Sequence, residues 1–554
     1  MRSVTERDIE KEKKVAGNGR NANTNGNGNG HSAGEQEVVE EAAREVVEAT
    51  DVFAPDGGIE MAMQAEMVGD GVVAAADAEL TKEERRSVSK NVFRLAWPAI
   101  AENALQTLLG IVDTAVVARL GVEALSGVGA AQQLIWILTT ALVAISMGTT
   151  VLVARHIGAK QKSEANSVLK QSLLLALVSS AVLMPVGFLA HPMMTLLGLE
   201  SNAASEGAIF LGITVFSALP LVIMFIAGAA MRGAGDTRTP MLVTMGINAI
   251  NAVLAVELVF GGVKANGILG GWLPWLNFIP EMGVAGSAWA SVIARSIGAL
   301  ALVGMFFVPK AALSLRRGGG GSWLPNFDIV GRVMKIGVPS ALEQLFMSLG
   351  ILLYSLIVIG LGEVTFAASR LALNAVFLSQ LPGFGFAIAA TTLVGQSLGA
   401  KSPKRALLGA QLAVRSAVVW MGLMGVVFFF FGEFLMKLFT DDPRLIALGV
   451  DSLKVIALYQ PMLAIAFVLG GALRGAGDVK FPMWVTTFAV WLVRLPTGAF
   501  LGLPAVCVPG TSACVPGLGW GLQGIYAALI VETSIRAILL WWRFKEGKWQ
   551  TMKV

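Results

Sequence analysis

Apolar runs of 18 or more residues recur between residues 94 and 543, separated by short polar stretches. A run of about 20 apolar residues, rising 1.5 Å each as a helix, covers the roughly 30 Å hydrocarbon core of a bilayer. Strands of a membrane β-barrel would alternate apolar and polar positions over about ten residues, and these runs do not. Twelve spans are predicted, at about 94–118, 128–155, 167–190, 205–231, 240–262 and 283–309, then 330–361, 366–397, 406–431, 445–473, 483–504 and 519–543. The fold class is therefore an all-α polytopic membrane protein with twelve transmembrane helices.

The chain also repeats itself. Arg232-Gly-Ala-Gly-Asp236 returns as Arg474-Gly-Ala-Gly-Asp478, 242 residues on. Pro98 and Glu102 return as Pro339 and Glu343, and Gly158-Ala-Lys160 returns as Gly399-Ala-Lys401, both at 241. A near-constant offset over separated landmarks marks duplicated halves. Each half holds six spans, an even number, so both enter the membrane in the same sense and form parallel repeats. The expected organisation is an acidic, disordered tail over 1–80, a first lobe over 81–309, a linker over 310–328, a second lobe over 329–545 and a C-terminal tail over 546–554.

Composition agrees with a membrane protein: 55% hydrophobic and 14% charged residues, against about a quarter charged in soluble domains. The net charge of +4 hides an asymmetry. Residues 1–80 carry 17 Asp/Glu and 7 Lys/Arg, leaving +14 for the remainder. The Asn/Gly tract from Asn21 to Gly30 cannot bury a core. No apolar signal-peptide region follows the first basic residues. Basic loops at 155–170, 232–238, 310–335, 401–405 and 474–480, with the tail at 543–553, alternate with loops poor in Lys and Arg. The positive-inside rule makes the basic set cytoplasmic, with both termini inside the plasma (inner) membrane. The basic excess meets anionic lipid and implies no nucleic acid. Neither a zinc spacing, a nucleophile elbow nor a phosphate-cradling loop occurs, so neither an enzyme nor a cofactor is expected.

Ionisable residues inside the spans need a reason. Glu102, Gln106 and Asp113 are spaced by 4 and 7 and share a helical face. A polar stripe on an apolar helix faces a cavity, or hydrogen-bonds a neighbouring helix. Asp113 lies in the outer half of span 1, where a partly desolvated carboxylate can take a proton or help hold Na⁺. Asn248 and Asn251 share a face of span 5. Their images in the second half are Val490 and Val493; Asp113 becomes Tyr354, Gln106 becomes Met347, and Glu102 alone keeps its acid as Glu343. Asp113, Asn248, Asn251 and Glu102 are thus the cation-coupling candidates, with the first lobe as the binding side. Glu102 and Glu343 each follow a helical proline by four residues, as gates or as acceptors for backbone groups freed there. Glu343 also suits the counter-ion of a cationic substrate. Arg370, Asn374 and Phe377 share a face of span 8. With Gln380 and Tyr354 they line a second-lobe cavity or pack between helices. Arg295 and Arg494 are further buried-charge candidates. The Arg-Gly-Ala-Gly-Asp sequences read as structural hinge loops. Cys507 and Cys514 share one outer loop and form a local disulfide or remain two thiols.

The run from Pro98 through Glu102 and Gln106 to Asp113, the paired Arg-Gly-Ala-Gly-Asp loops, Gln396-Ser-Leu-Gly-Ala-Lys401 and Arg494-Leu-Pro496 resemble multidrug and toxic compound extrusion (MATE) transporters, most closely the DinF-type branch. The resemblance covers about residues 90–545. It implies two six-helix lobes opening as a V, and export of amphipathic, often cationic small organic compounds by H⁺ or Na⁺ antiport with alternating access, by a monomer. A flippase for a lipid-linked or glycolipid precursor is the alternative function. The chain departs from the family where many relatives carry an Asp in span 5, which here is Ala255. A second-lobe sodium site of other relatives falls on Met347 and about Leu463.

Overall fold

The computed structural model describes residues 81–262, 264, 280–309, 311–316, 320–507 and 514–552, so the acidic tail expected over 1–80 lies outside the described residues. Ten helices are long and apolar enough to cross a membrane: α1 (Lys82–Ala118), α3 (Lys162–Leu196), α5 (Arg238–Phe260), α6 (Gly283–Met305), α7 (Phe327–Ile359), α8 (Glu363–Gly399), α9 (Pro403–Lys437), α10 (Pro443–Gly475), α11 (Lys480–Gly502) and α12 (Gly521–Glu546). Two bent helix pairs complete twelve spans, α2 (Val122–Thr140 and Leu142–Gly158) and α4 (Ser201–Phe216 and Ala218–Gly233). Each overlaps its sequence-predicted run. Several begin earlier, because a helix continues through polar turns that an apolar pattern does not register. At α1 the start is fixed by a capping box, in which Thr81 Oγ1 accepts from Glu84 N and Thr81 N donates to Glu84 Oε2.

A proline accompanies the break in α4. Pro220 cannot donate to the carbonyl of Phe216, and α4 bends by 56° there. Its image Pro461 sits within α10, which stays continuous. In α11 a six-residue stretch with π-helical bonding, Ala489–Arg494, precedes Pro496. The described residues also include a short antiparallel hairpin, β1 (Ala505–Cys507) and β2 (Cys514–Pro516), with Cys507 opposite Cys514. The side chains of both cysteines lie outside the described residues.

The sequence repeat recurs in the contacts. Thr150 Oγ1 donates to Ala229 O and its image Thr391 Oγ1 donates to Gly471 O, each tying the second helix of a lobe to the fourth. Lys160 and Lys401 both take left-handed backbone, with φ of 61° and 56°, closing α2 and α8. Glu102 pairs with Arg232 at 2.9 Å, and Glu343 pairs with Arg474 at 3.1 Å. Thr486 adds a hydrogen bond to Glu343 at 3.0 Å. The two acids therefore pair with the arginines of the two Arg-Gly-Ala-Gly-Asp sequences. Gly228 and Gly470, one turn before each arginine, leave room for its guanidinium to lie back along the helix.

The lobes meet at the end that carries the basic loops. A Cβ on Gly337 of α7 would stand 1.8 Å from Ala144 O of α2, and one on Gly385 of α8 would stand 3.0 Å from Ala96 O of α1; these two contacts are images of each other. Gly158 and Gly399 likewise abut the backbones of Gln396 and Arg155. Small residues let the helix backbones touch, as membrane helix packing requires. Hydrogen bonds cross the same seam. Arg155 Nη2 donates to Ala476 O at 2.8 Å, and its image Gln396 donates through Nε2 to Gly233 O at 2.9 Å. Each lobe thus holds the other's Arg-Gly-Ala-Gly-Asp loop. The C-terminal segment joins on one side only. Arg155 Nη2 also reaches Met552 O at 3.1 Å, Arg543 pairs with Asp478 at 2.8 Å, and Trp549 is buried against Phe544.

At the opposite end the lobes part. Asn374 and Leu378 lie 11 and 7 residues before Gly385, about 20° from it around the helix. That face touches α1 at the basic end yet is exposed at Asn374 and Leu378. On α1, Ile100 meets Gly385, while Ile111, 11 residues on, is 60% exposed. The result is a V that opens away from the basic loops.

Two predictions follow from this seam and these pairs. Spin labels at Lys162→Cys and Arg405→Cys, with Cys507 and Cys514 replaced by Ser, report the basic-end separation. Gly158→Ala should lengthen it, because the added Cβ would meet Gln396 O at 2.0 Å, whereas Gly129→Ala, with open space around it, should not. An unchanged distance in Gly158→Ala would refute the tight seam. Arg474→Met should cost about 3 kcal/mol by stranding Glu343. Thermal unfolding in detergent should show much of that loss recovered in the Arg474→Met/Glu343→Gln double variant, and an unshifted single variant would remove the pair from the fold's supports.

Candidate functional site in the first lobe

α1, α2, α4, α5 and α6 enclose a cavity of about 320 Å³ in the first lobe. This falls within the roughly 300–1,000 Å³ of small-molecule sites. Trp136, Phe210, Met224, Phe225 and Ile247 supply apolar wall; Glu102, Gln106, Asp113, Thr244, Asn248, Ser291 and Arg295 supply polar groups. Four of the residues singled out from sequence, Glu102, Gln106, Asp113 and Asn248, therefore line one space.

Asp113 is buried, and its Oδ1 accepts from Asn251 Nδ2 at 2.7 Å. Asn248 Nδ2 donates to the carbonyl of Leu105, one helix away on α1. Both amides thus spend their N–H groups on α1 acceptors, which fixes their orientation: turning either one over would set oxygen against oxygen. Asn248 Oδ1 and Asn251 Oδ1 are left buried with no hydrogen-bond partner. Asp113 with the unspent oxygen of its partner Asn251, and that of Asn248 three residues away on α5, offers hard-oxygen donors suited to a proton or a small cation. Glu102 contributes differently, since its charge is answered by Arg232.

The second lobe places its candidates apart from this cavity. Glu343 is held by Arg474 and Thr486. Tyr354, the image of Asp113, is buried with its hydroxyl donated to Ile525 O, and Arg494 lies 4.2 Å from its ring centroid. Where the first lobe has Asn248, the second has Val490, packed against Gly350. Arg370 lies 5.2 Å from the ring centroid of Phe366; Asn374 and Phe377 are exposed and Gln380 is half-buried. Sequence reasoning did not pair the two glutamates with Arg232 and Arg474. The signal was present: acid and arginine recur together at matching offsets.

Comparison with known proteins agrees with this architecture. The MatE family model matches residues 98–256 and 339–500, one stretch in each lobe. "Probable multidrug resistance protein NorM" of Thermotoga maritima is 32% identical over 476 residues, 86% of this chain and 96% of that protein. "Uncharacterized transporter YisQ" of Bacillus subtilis is 25% identical, over 83% of this chain and 94% of that protein. Among solved structures, "Crystal structure of MATE in complex with MaL6" superposes with a TM-score of 0.73 at 20% identity, covering 85% of this chain and all of that one. A Pyrococcus furiosus structure titled "Reverse polarity of binding pocket suggests different function of a MOP superfamily transporter" does so with the same TM-score and identity, over 86% of this chain. With duplicated lobes, a V-shaped twelve-span fold and matches across both halves, the chain belongs to the MatE family of multi-pass membrane transporters and is not an enzyme.

Proposed function

We propose that the protein is a multidrug exporter that drives amphipathic organic compounds out of the cell in exchange for a proton or a sodium ion. The observation that carries this reading is the buried Asp113–Asn251 pair on the wall of a drug-sized cavity, present in one lobe and replaced by Tyr354 and Val493 in the other. The names of relatives such as the Thermotoga maritima protein support the substrate class. In this reading the basic end is cytoplasmic, as the loop charges favour, and the V corresponds to the outward-open state. The chain acts as a monomer in the plasma (inner) membrane.

The coupling step follows from donor and acceptor counts. An ionised Asp113 only accepts, and Asn251 Nδ2 serves it. A protonated Asp113 carries an O–H, for which Asn251 Oδ1 is a free acceptor in the same pair. Na⁺ would instead draw the carboxylate and amide oxygens together. Either ion removes the carboxylate's charge and rearranges its bond to α5. That changes the outer part of α1, which lines the cavity. Substrate and coupling ion then occupy the site in alternation, and rocking of the lobes about the glycine seam carries each across.

Proteoliposomes loaded with a fluorescent organic compound and given a proton gradient, then a sodium gradient, test this. One of the two gradients should drive flux, and Asp113→Asn should cut that flux at least about tenfold while substrate still binds. Full gradient-driven flux in Asp113→Asn would remove this residue from the mechanism.

A further inference from the structure

Among the described residues, no group answers the charge of Arg295 at contact distance. It is half-buried on α6 and lines the first-lobe cavity. Among the described residues it makes no hydrogen bond or ion pair. Other arginines buried in the spans do have partners. Arg232 has Glu102, Arg474 has Glu343, and Arg536 has Glu532 at 3.4 Å. Asp113 lines the same cavity, but it accepts its close hydrogen bond from Asn251. The two charges therefore face one space without closing on each other.

The repeat shows that this arrangement belongs to one lobe. Gly283, Gly286, Ser296 and Ile297 align with Gly521, Gly524, Ser534 and Ile535, all 238 residues on. The image of Arg295 at that offset is Thr533, and the image of Asp113 is Tyr354. The second lobe lost, or never had, both charges. An unpaired guanidinium in a membrane-embedded site marks a ligand pathway rather than a fold requirement. Its planar set of N–H donors matches a carboxylate, which can take two of them at once.

We propose that Arg295 is the recognition point for an acidic group on the exported compound, while a cationic group on the same compound faces Asp113. The substrates would then be amphipathic zwitterions, with carboxylate and ammonium joined by an apolar scaffold that packs on Trp136, Phe225 and Ile247. A simple organic cation would meet Arg295 as a like charge. This deepens the export reading above and rests on it.

Rhodamine B, a zwitterion, and its ethyl ester, a cation on the same scaffold, separate the alternatives. Fluorescence polarisation with the full-length protein in detergent gives both affinities. The wild type should bind rhodamine B about tenfold or more tightly than the ester, the range of a charge-assisted bidentate contact. Arg295→Met should abolish that preference by weakening rhodamine B alone, and Arg295→Lys should keep part of it. Ester affinity that is unchanged, or raised in Arg295→Met by loss of the like charge, shows that the variants remain folded. Equal binding of the two dyes by the wild type, or equal weakening of both in Arg295→Met, would overturn the zwitterion assignment and leave export standing. Binding of neither dye would overturn the assignment together with the export reading beneath it.

Discussion

A formal charge inside a bilayer costs about 2.5–3.5 kcal/mol unless another group or a water-filled cavity answers it. That constraint organises the spans of this transporter. Glu102 with Arg232 and Glu343 with Arg474 tie the first helix of each lobe to the fourth, while Glu532 with Arg536 is settled within α12. Once these are matched, Asp113 and Arg295 stand out on the cavity wall. Asp113 is held by an amide rather than by a cation, and Arg295 by no group among the described residues. In the proposed reading, the charges that fold the protein and those that serve transport are distinguished by their partners.

The duplicated frame has a mechanical sense. Arg155 and Gln396 occupy equivalent positions and each grips the opposite lobe's Arg-Gly-Ala-Gly-Asp loop, so closure at the basic end is cross-braced. The brace is unequal, because only Arg155 also holds the C-terminal segment through Met552. Symmetry likewise fails at the cavity, where Asn248 becomes Val490 and Asp113 becomes Tyr354 packed under Arg494. In the proposed exchange, a frame that rocks needs two similar arms, while the chemistry needs only one of them.

Much of this was legible in the chain. Twelve apolar runs and a constant offset sufficed for the fold, because hydrocarbon leaves a helix few alternatives. Subtracting one half from the other isolated Asp113, Asn248 and Asn251, and the structure brings Asp113 and Asn251 into contact. The glutamates were harder. A face shared by Glu102, Gln106 and Asp113 says nothing of which partner lies across it, and Arg232 lies 130 residues away, at the head of a glycine-rich sequence that invited a purely structural reading. The short hairpin at Ala505–Cys507 and Cys514–Pro516 left no periodic signal, since three residues cannot show alternation.

We propose that a single carboxylate in the first lobe, Asp113, takes the coupling ion. Infrared difference spectra recorded as that ion binds would test it most directly, by following the carboxyl bands of the full-length protein. An ion-dependent band should disappear in Asp113→Asn and persist in Glu343→Gln and Glu532→Gln. A band that survives in Asp113→Asn and vanishes in either second-lobe variant would contradict it.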